Sequence, residues 1–271
     1  MSLLKAILLG IFQGLTEFLP ISSSGHIMLA SEVLGIELEG GVLSALTVIL
    51  HLGTFFAVLI LYFERVWKLL MHPIKGELKW LVVATLPTVI YALLLKATGW
   101  DDVVDATART LLPYAFLLTA VFLLLADGIG KNRKKAKNTH KQVGFGDALS
   151  MGLMQCVGTF TGVSRSGSTI TGGLASGLDA RNCADFSFLM SLPAILGAAV
   201  LDIMSDAGDL HALGEFLPET LAGVIAAFVA GLIAIKLMLS VIKKMRLKWF
   251  SLYLALIAGL IIVNDYIIAL W

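Results

Sequence analysis

The sequence predicts an all-α integral membrane protein with six transmembrane helices and two re-entrant helix–loop–helix hairpins in an inverted repeat. Three observations favour this class: the composition, six long apolar stretches, and one unusual segment that occurs twice. Hydrophobic residues make up 58% of the 271 positions and charged residues only 14%, with a mean hydropathy of +0.90. A soluble domain of this length rarely carries so few charges.

The six apolar stretches are each long enough to cross a hydrocarbon core of about 30 Å. They are Val42–Phe63, Trp80–Leu95, Leu111–Ala126, Phe186–Met204, Leu221–Ile242 and Trp249–Leu270. A further apolar run follows Lys5 and superficially resembles a signal peptide, but no small-residue cleavage site comes after it. We therefore expect this N-terminal run to stay in the protein.

The repeated segment covers residues 6–25 and residues 148–167. With a constant, ungapped offset, seven of the twenty positions are identical. The identical pairs are Ala6/Ala148, Gly10/Gly152, Gln13/Gln155, Phe18/Phe160, Ser22/Ser164, Ser24/Ser166 and Gly25/Gly167. Each copy is an apolar run that breaks into a Ser/Gly loop. Paired, interrupted apolar segments in two halves of a membrane protein indicate a site where the halves meet.

Loop charges predict how the chain crosses the membrane, because cytoplasmic loops are enriched in Lys and Arg. The basic segments 131–141, 65–79 and 243–248 should be cytoplasmic. The segments Glu37–Gly41 and Ser205–Glu219, which lack Lys and Arg, and the mainly acidic Lys96–Arg109 should be outside, as should both termini. Three crossings then separate the two copies, so they enter from opposite sides and each must turn back as a re-entrant hairpin.

This topology divides one membrane domain, residues 1–271, into two repeats. Repeat one covers about 1–110 and repeat two about 143–271, with a basic cytoplasmic linker at about 130–142. The two hairpin loops are expected to meet near the middle of the membrane. Irregular backbone is tolerated at that depth only when it is buried in protein or lines a wet cavity.

The first loop carries a carboxylate, hydroxyls and an imidazole within a short stretch. Gln13 and Glu17 lie one helical turn apart on the same face, and Pro20 should end that helix. Ser22, Ser23, Ser24 and His26 follow. Simpler alternatives are a solvated helix end for Glu17, helix capping by the serines and a buried structural role for His26.

The second loop is suited to an anion. Ser164, Arg165, Ser166 and Thr169 lie among glycines at the predicted start of a short helix, and a helix N-terminus favours negative charge. Arg165 offers a planar, permanently charged fork for phosphate oxygens. The alternative for Arg165 is a purely structural salt bridge, for instance to Glu17. Together the loops suit phosphoryl transfer on a lipid phosphate, with the nucleophile left open among Ser23, His26 and water.

At these residues the sequence resembles the bacterial undecaprenyl pyrophosphate phosphatase family, which is linked to bacitracin resistance. The family pattern Glu/Gln-x-x-x-Glu corresponds to Gln13–Glu17, and Pro-x-Ser-Ser-x-Gly-His to Pro20–His26. The second pattern, Pro-Gly-x-Ser-Arg-Ser-x-x-Thr, corresponds to Thr161–Thr169. Thr161 departs from the family proline, and Gln13 leaves one carboxylate where some members have two.

The resemblance implies hydrolysis of undecaprenyl pyrophosphate at the outer side of the cytoplasmic membrane, which recycles the carrier lipid for cell-wall synthesis. It implies catalytic roles for Glu17, Ser23, His26 and Arg165. It further implies substrate contacts at Gln13, Ser22, Ser24, Ser164, Ser166 and Thr169. A divalent cation, Mg²⁺ or Ca²⁺, would be held by the substrate and Glu17.

The expected partners are a polyprenyl pyrophosphate lipid and membrane lipids, with no nucleic acid; a homodimer is left open. A transporter or flippase of polyprenyl phosphate is the alternative function, since inverted repeats with broken helices also build transporters.

Overall fold

Helices make up almost all of the computed structural model, which describes residues 1–36, 41–72, 76–205 and 214–268. In chain order they are α1 (Leu3–Phe18), α2 (Ser23–Val33), α3 (Val42–Leu61), α4 (Phe63–Met71), α5 (Leu78–Thr98), α6 (Trp100–Lys135), α7 (Phe145–Val157), α8 (Arg165–Ser176), α9 (Ala180–Ser205), α10 (Leu217–Lys243) and α11 (Lys248–Val263). A 3₁₀ turn, Gly214–Phe216, precedes α10, and a π-helical turn, Asn264–Ile268, follows α11. The described residues contain no β-strand, so the all-α prediction is confirmed.

The predicted number of membrane spans is also confirmed. Among the residues that the structure describes, six helical segments are long and apolar enough to cross a bilayer: Val42–Leu61, Leu78–Thr98, Trp100–Lys135, Ala180–Leu201, Gly214–Lys243 and Lys248–Ile267. Each contains most of one predicted stretch. Large apolar side chains such as Leu86, Leu124 and Ile233 are exposed on their outer faces, as expected where lipid replaces water. The chain is therefore a multi-pass membrane protein.

Several predicted loops cannot be compared in full. Residues 37–40 of Glu37–Gly41, residues 206–213 of Ser205–Glu219 and residues 73–75 of the basic segment 65–79 lie outside the described residues.

Both copies of the repeated segment form a pair of short helices joined by a turn, α1 with α2 and α7 with α8. In the first pair α1 ends at Phe18, and Leu19 is extended (φ −72°, ψ 142°), as expected for a residue before proline. Both second helices begin after a serine cap. Ser22 Oγ accepts from the Gly25 N–H (3.4 Å) and Ser164 Oγ from the Gly167 N–H (3.1 Å).

Each short pair packs against a spanning helix from the other half of the chain. α1 lies along α10, and α7 lies along α5. Glycines allow the close approach: a Cβ added to Gly14 would lie 2.4 Å from the Ala227 carbonyl oxygen on α10. One added to Gly152 would lie 2.5 Å from the Ala84 carbonyl oxygen on α5. The first loop is thus held in place by the second half, and the second loop by the first.

We expect Gly14→Ala to destabilise the protein by about 1–3 kcal/mol, because the new methyl group would overlap the α10 backbone. The matched control is Gly128→Ala on α6, where nothing lies within 4 Å of an added Cβ. That change should be neutral or stabilising, because Ala is the better helix former. Thermal unfolding in detergent should show a Tm lower by at least about 3 °C for Gly14→Ala only. Equal Tm values would show that α1 and α10 can separate freely.

Candidate active site

A cavity of about 280 Å³ lies where the two turns meet. The α1–α2 turn contributes Ser22, Ser23 and Ser24, and the α7–α8 turn contributes Ser164 and Arg165. Helices α3, α5 and α9 complete the wall with His51, Thr88, Ala194 and other side chains. The cavity is therefore polar at the turns and more apolar where the spanning helices line it.

The Glu17 carboxylate, 5% exposed as a residue, is the centre of the polar cluster. Its Oε1 accepts a hydrogen bond from Arg165 Nη2. Its Oε2 accepts from Ser23 Oγ (2.6 Å) and from Gln13 Nε2 (3.1 Å), and lies 3.4 Å from His51 Nε2. A buried carboxylate requires such compensation, since an isolated charge in a low-dielectric interior is very costly.

Arg165 is only partly satisfied by this cluster. Its Nη2 donates to Glu17, but its Nη1 is buried and has no hydrogen-bond partner among the described residues. An unpaired, buried guanidinium N–H costs free energy unless a ligand supplies an acceptor. The structure thus brings together the Arg165–Glu17 pair that the sequence offered as a structural alternative, and leaves one arm of the fork for an anion.

Direct contacts join the two turns. The Gly162 N–H donates to Ser24 Oγ (3.4 Å), and Ser166 Oγ donates to the Leu19 carbonyl (3.3 Å). The Ser164 N–H donates to Thr119 Oγ1 of α6 (3.0 Å). These bonds hold Arg165, Glu17 and Ser23 in one arrangement even though the turns are about 140 residues apart in the chain.

Four of the predicted site residues do not line the cavity. Ser166 bonds to the Leu19 carbonyl, and Gln13 lies behind Glu17. Thr169 Oγ1 bonds to the Arg165 carbonyl (3.0 Å) and to Ser187 Oγ (2.7 Å). These three side chains are placed to support the groups that do face the cavity.

His26, the fourth, makes its side-chain hydrogen bonds to groups outside the Glu17 cluster. Its Nδ1 bonds to the Ser22 carbonyl (2.8 Å) and its Nε2 to the Tyr253 hydroxyl (2.8 Å), and its ring stacks on that of Tyr253. Both ring nitrogens are therefore engaged, and the catalytic role implied for His26 stays a prediction.

His51 is a functional candidate that the sequence interpretation did not single out. Its Nδ1 bonds to the Thr47 carbonyl (2.7 Å), which turns Nε2 toward Glu17 and into the cavity. The available signal was its position, because it is the single ionisable residue of the span Val42–Leu61. An ionisable group inside a membrane span marks a functional site by default.

A divalent cation fits these residues only in cooperation with a phosphate ligand. Among the described residues, no group of three or more His, Cys, Asp or Glu side chains could form a cage of protein ligands. Glu17 lines the cavity, and its carboxylate is a hard ligand of the kind that holds Mg²⁺ together with substrate phosphates. Gln13 does not line the cavity, and its Nε2 donates to the Glu17 carboxylate.

The fold and the site define a class: a multi-pass membrane protein with a partly buried Arg–Glu–Ser–His cluster at an internal cavity. Residues 6–261 match the family model described as Bacitracin resistance protein BacA. The chain belongs to this family.

Relatives named undecaprenyl-diphosphatase match almost end to end. The protein from Rhodopirellula baltica is 37% identical, covering 96% of this chain and 97% of its own. That from Carboxydothermus hydrogenoformans is 36% identical over 97% of both chains. Undecaprenyl-diphosphatase 4 from Bacillus thuringiensis is 36% identical over 98% of both.

Proposed function

We propose that the protein hydrolyses undecaprenyl diphosphate to undecaprenyl phosphate and inorganic phosphate, which recycles the lipid carrier of cell-wall synthesis. The observation that carries the proposal is that Arg165 lines one cavity with Glu17 and Ser23 while its buried Nη1 has no hydrogen-bond partner among the described residues. The names of the relatives supply the substrate. A diphosphate brings the oxygens that this half-satisfied arginine lacks.

The substrate enters with its diphosphate toward the two turns. Arg165 takes non-bridging oxygens with its planar fork, and hydroxyl groups of Ser22, Ser24 and Ser164 are placed to donate to the others. The isoprenyl chain leaves past the apolar wall that Val48, Ala194 and Ile195 contribute. The headgroup is thus held by fixed donors, and the lipid tail stays in an apolar environment.

Hydrolysis breaks the bond between the terminal phosphorus and the bridging oxygen. The electron pair of that bond stays on the oxygen, which leaves as part of undecaprenyl phosphate. The attacking hydroxyl belongs either to Ser23 or to a water in its place. In the Ser23 route one water then hydrolyses the phosphoserine, releasing inorganic phosphate as Ser23 Oγ takes back a proton. In both routes the proton passes to Glu17, whose Oε2 lies 2.6 Å from Ser23 Oγ, as required of a general base.

Arg165 links binding to proton transfer. When Nη1 binds a diphosphate oxygen, Nη2 stays on Oε1 of Glu17, and Oε2, next to Ser23 Oγ, accepts the proton. His51 Nε2, 3.4 Å from Oε2, keeps the carboxylate oriented. Arg165 then stabilises the charge that develops on the transferring phosphoryl group.

A divalent cation, Mg²⁺ or Ca²⁺, completes the proposed site. Glu17, which lines the cavity, is the residue that would hold it together with the substrate, and the Gln13 amide would orient that carboxylate. When bound, the cation would neutralise charge on the phosphate oxygens.

The inverted repeat and the re-entrant hairpins are part of the proposal. Equivalent positions support the repeat: Ser22 and Ser164 both cap a helix, and Gln13 and Gln155 are both fully buried. The packing of α1 on α10 and of α7 on α5 supports the repeat independently, because each short helix contacts a spanning helix of the other half. With the basic segments in the cytoplasm, both termini lie outside the cytoplasmic membrane, and the substrate reaches the cavity from the outer side.

Phosphate release in detergent tests the proposed activity, because detergent micelles sustain no transmembrane gradient. Purified protein with undecaprenyl diphosphate and Mg²⁺ or Ca²⁺ should release one inorganic phosphate per lipid. EDTA should stop the release, and either cation should restore it. No release by folded protein, combined with movement of the lipid in sealed vesicles, would favour a flippase instead.

A further inference from the structure

A second cavity, also of about 280 Å³, lies at the opposite end of α8 from Arg165. It is bounded by the C-terminal ends of α6, α8 and α10 and by the start of α9. From Arg165 to Leu174 on its wall, α8 rises about 14 Å. This basic cavity is therefore separate from the proposed active site.

Five cationic side chains line the basic cavity, with one acid. The cations are Arg133, Lys134, Lys141, Arg181 and Lys243. The acid, Asp179, is already engaged: its Oδ1 accepts from the backbone N–H groups of Arg181 (3.0 Å) and Asn182 (3.2 Å). Its Oδ2 accepts from the Asn182 side-chain amide (2.5 Å).

Most of these cations lack a carboxylate partner in the part of the chain that the structure describes. Arg133 and Lys134 donate to backbone carbonyls, of Ala175 (2.7 Å) and Lys243 (3.4 Å). Among the described residues, Arg181 alone of the five has a carboxylate partner, its Nε lying 3.6 Å from Asp185 Oδ2. Like charges gathered around one cavity repel one another, and an anion between them would remove that repulsion.

The cavity is fixed by the fold and does not depend on the chance positions of surface lysines. The loop that carries Lys141 is held to the α8–α9 turn by two backbone bonds, His140 N–H to the Gly177 carbonyl (3.1 Å) and Asp179 N–H to the His140 carbonyl (2.9 Å). Arg133 packs so closely on this turn that a Cβ at Gly177 would lie 2.7 Å from its Nη1. Gly177 also has a positive φ of 110°, which favours glycine.

We propose that the basic cavity binds a phosphate group, a chemistry that an anionic phospholipid headgroup or a free phosphate could supply. The surroundings favour the lipid. Buried Leu174, Leu178 and Met245 give the cavity apolar walls, and it lies at the ends of spanning helices, where headgroups are found. Basic pockets between spanning helices bind anionic headgroups in other membrane proteins.

Lipid and phosphate titrations of the purified full-length protein in neutral detergent test this proposal. Phosphatidylglycerol, phosphatidylcholine and inorganic phosphate are added at constant ionic strength, and binding is followed by native mass spectrometry and Tm. We expect phosphatidylglycerol to bind and raise the Tm, and phosphatidylcholine to do neither. The triple variant Lys134→Gln/Lys141→Gln/Lys243→Gln should bind it about a hundredfold more weakly.

A charge-matched control removes three exposed cations of the same end that do not line the cavity: Lys135→Gln/Lys244→Gln/Arg246→Gln. It should bind phosphatidylglycerol within about threefold of wild type, since the three lost side chains do not line the cavity and salt screens charges in solvent. The lipid proposal would be overturned if phosphatidylglycerol bound equally weakly to both triple variants. It would also be overturned if the wild type bound phosphatidylglycerol and phosphatidylcholine equally well.

Inorganic phosphate that binds wild type and control but not the cavity variant would support the site and assign it to a soluble phosphate. The binding readouts need no turnover, so this inference can fail or succeed independently of the proposed hydrolysis.

Discussion

Arg165→Ala is expected to reduce the rate of phosphate release by about a thousandfold or more, the effect typical of an arginine that stabilises a phosphoryl transition state. The physical reason is that Arg165 lines the cavity and its buried Nη1 has no hydrogen-bond partner among the described residues. Initial rates at saturating lipid would measure the loss. Arg246→Ala, at an exposed arginine away from the cavity, serves as the matched control and should retain the full rate.

Arg165→Lys separates the charge from the shape of the fork. Lysine keeps a positive charge near Glu17, so the variant should fold, but it cannot hold the carboxylate and a phosphate oxygen in one plane. We expect a loss of about a hundredfold. If Arg165→Lys worked at the wild-type rate, charge alone would suffice and the role given to Nη1 would be wrong.

Glu17→Gln is expected to lower the rate by about a thousandfold, within the range for removal of a general base. The amide has nearly the shape of the carboxylate but cannot accept the proton from Ser23 or water. Glu77→Gln is the matched control, because Glu77 is also paired with an arginine, Arg65 (2.6 Å), but lies outside the cavity. It should keep most of the activity, since a partly exposed pair contributes little.

Loss of folding must be distinguished from loss of catalysis in Glu17→Gln, because the change leaves Arg165 buried without its counter-charge. Affinity for a non-hydrolysable methylene analogue of the diphosphate provides that distinction. Retained or tighter analogue binding with lost turnover would support the base role. A parallel fall in analogue binding, folded fraction and rate would instead assign Glu17 to structure alone.

The spanning helices could be predicted from the sequence because mean hydropathy is averaged over about twenty residues. The ends of these helices could not be predicted in this way. The stretch Leu111–Ala126 marks only the apolar middle of α6, which runs from Trp100 to Lys135. The polar residues at both ends are compatible with helix, so the helix continues beyond the apolar stretch. The short helix α4 (Phe63–Met71) lies partly in the predicted span Val42–Phe63 and partly in the predicted basic loop, because its charged residues do not mark it as helical.

The chemistry of the turns was predictable where it depends on local sequence. Pro20 and the serine caps act within a few residues, and a buried arginine in an apolar protein requires a carboxylate. The remaining parts depend on tertiary contacts. Nothing near His26 in the sequence indicates that Tyr253 would engage its ring, and nothing near Glu17 indicates that His51 of α3 would face it.

The exchange of partners between the halves has a consequence for biogenesis. Because α1 packs most extensively on α10, the helix that carries Glu17 lacks its main packing partner until about 200 further residues have left the ribosome. During that time its buried carboxylate must be sheltered by lipid headgroups, water or the insertion machinery. The reaction centre is therefore completed near the end of synthesis, and a chain truncated before α10 cannot assemble it.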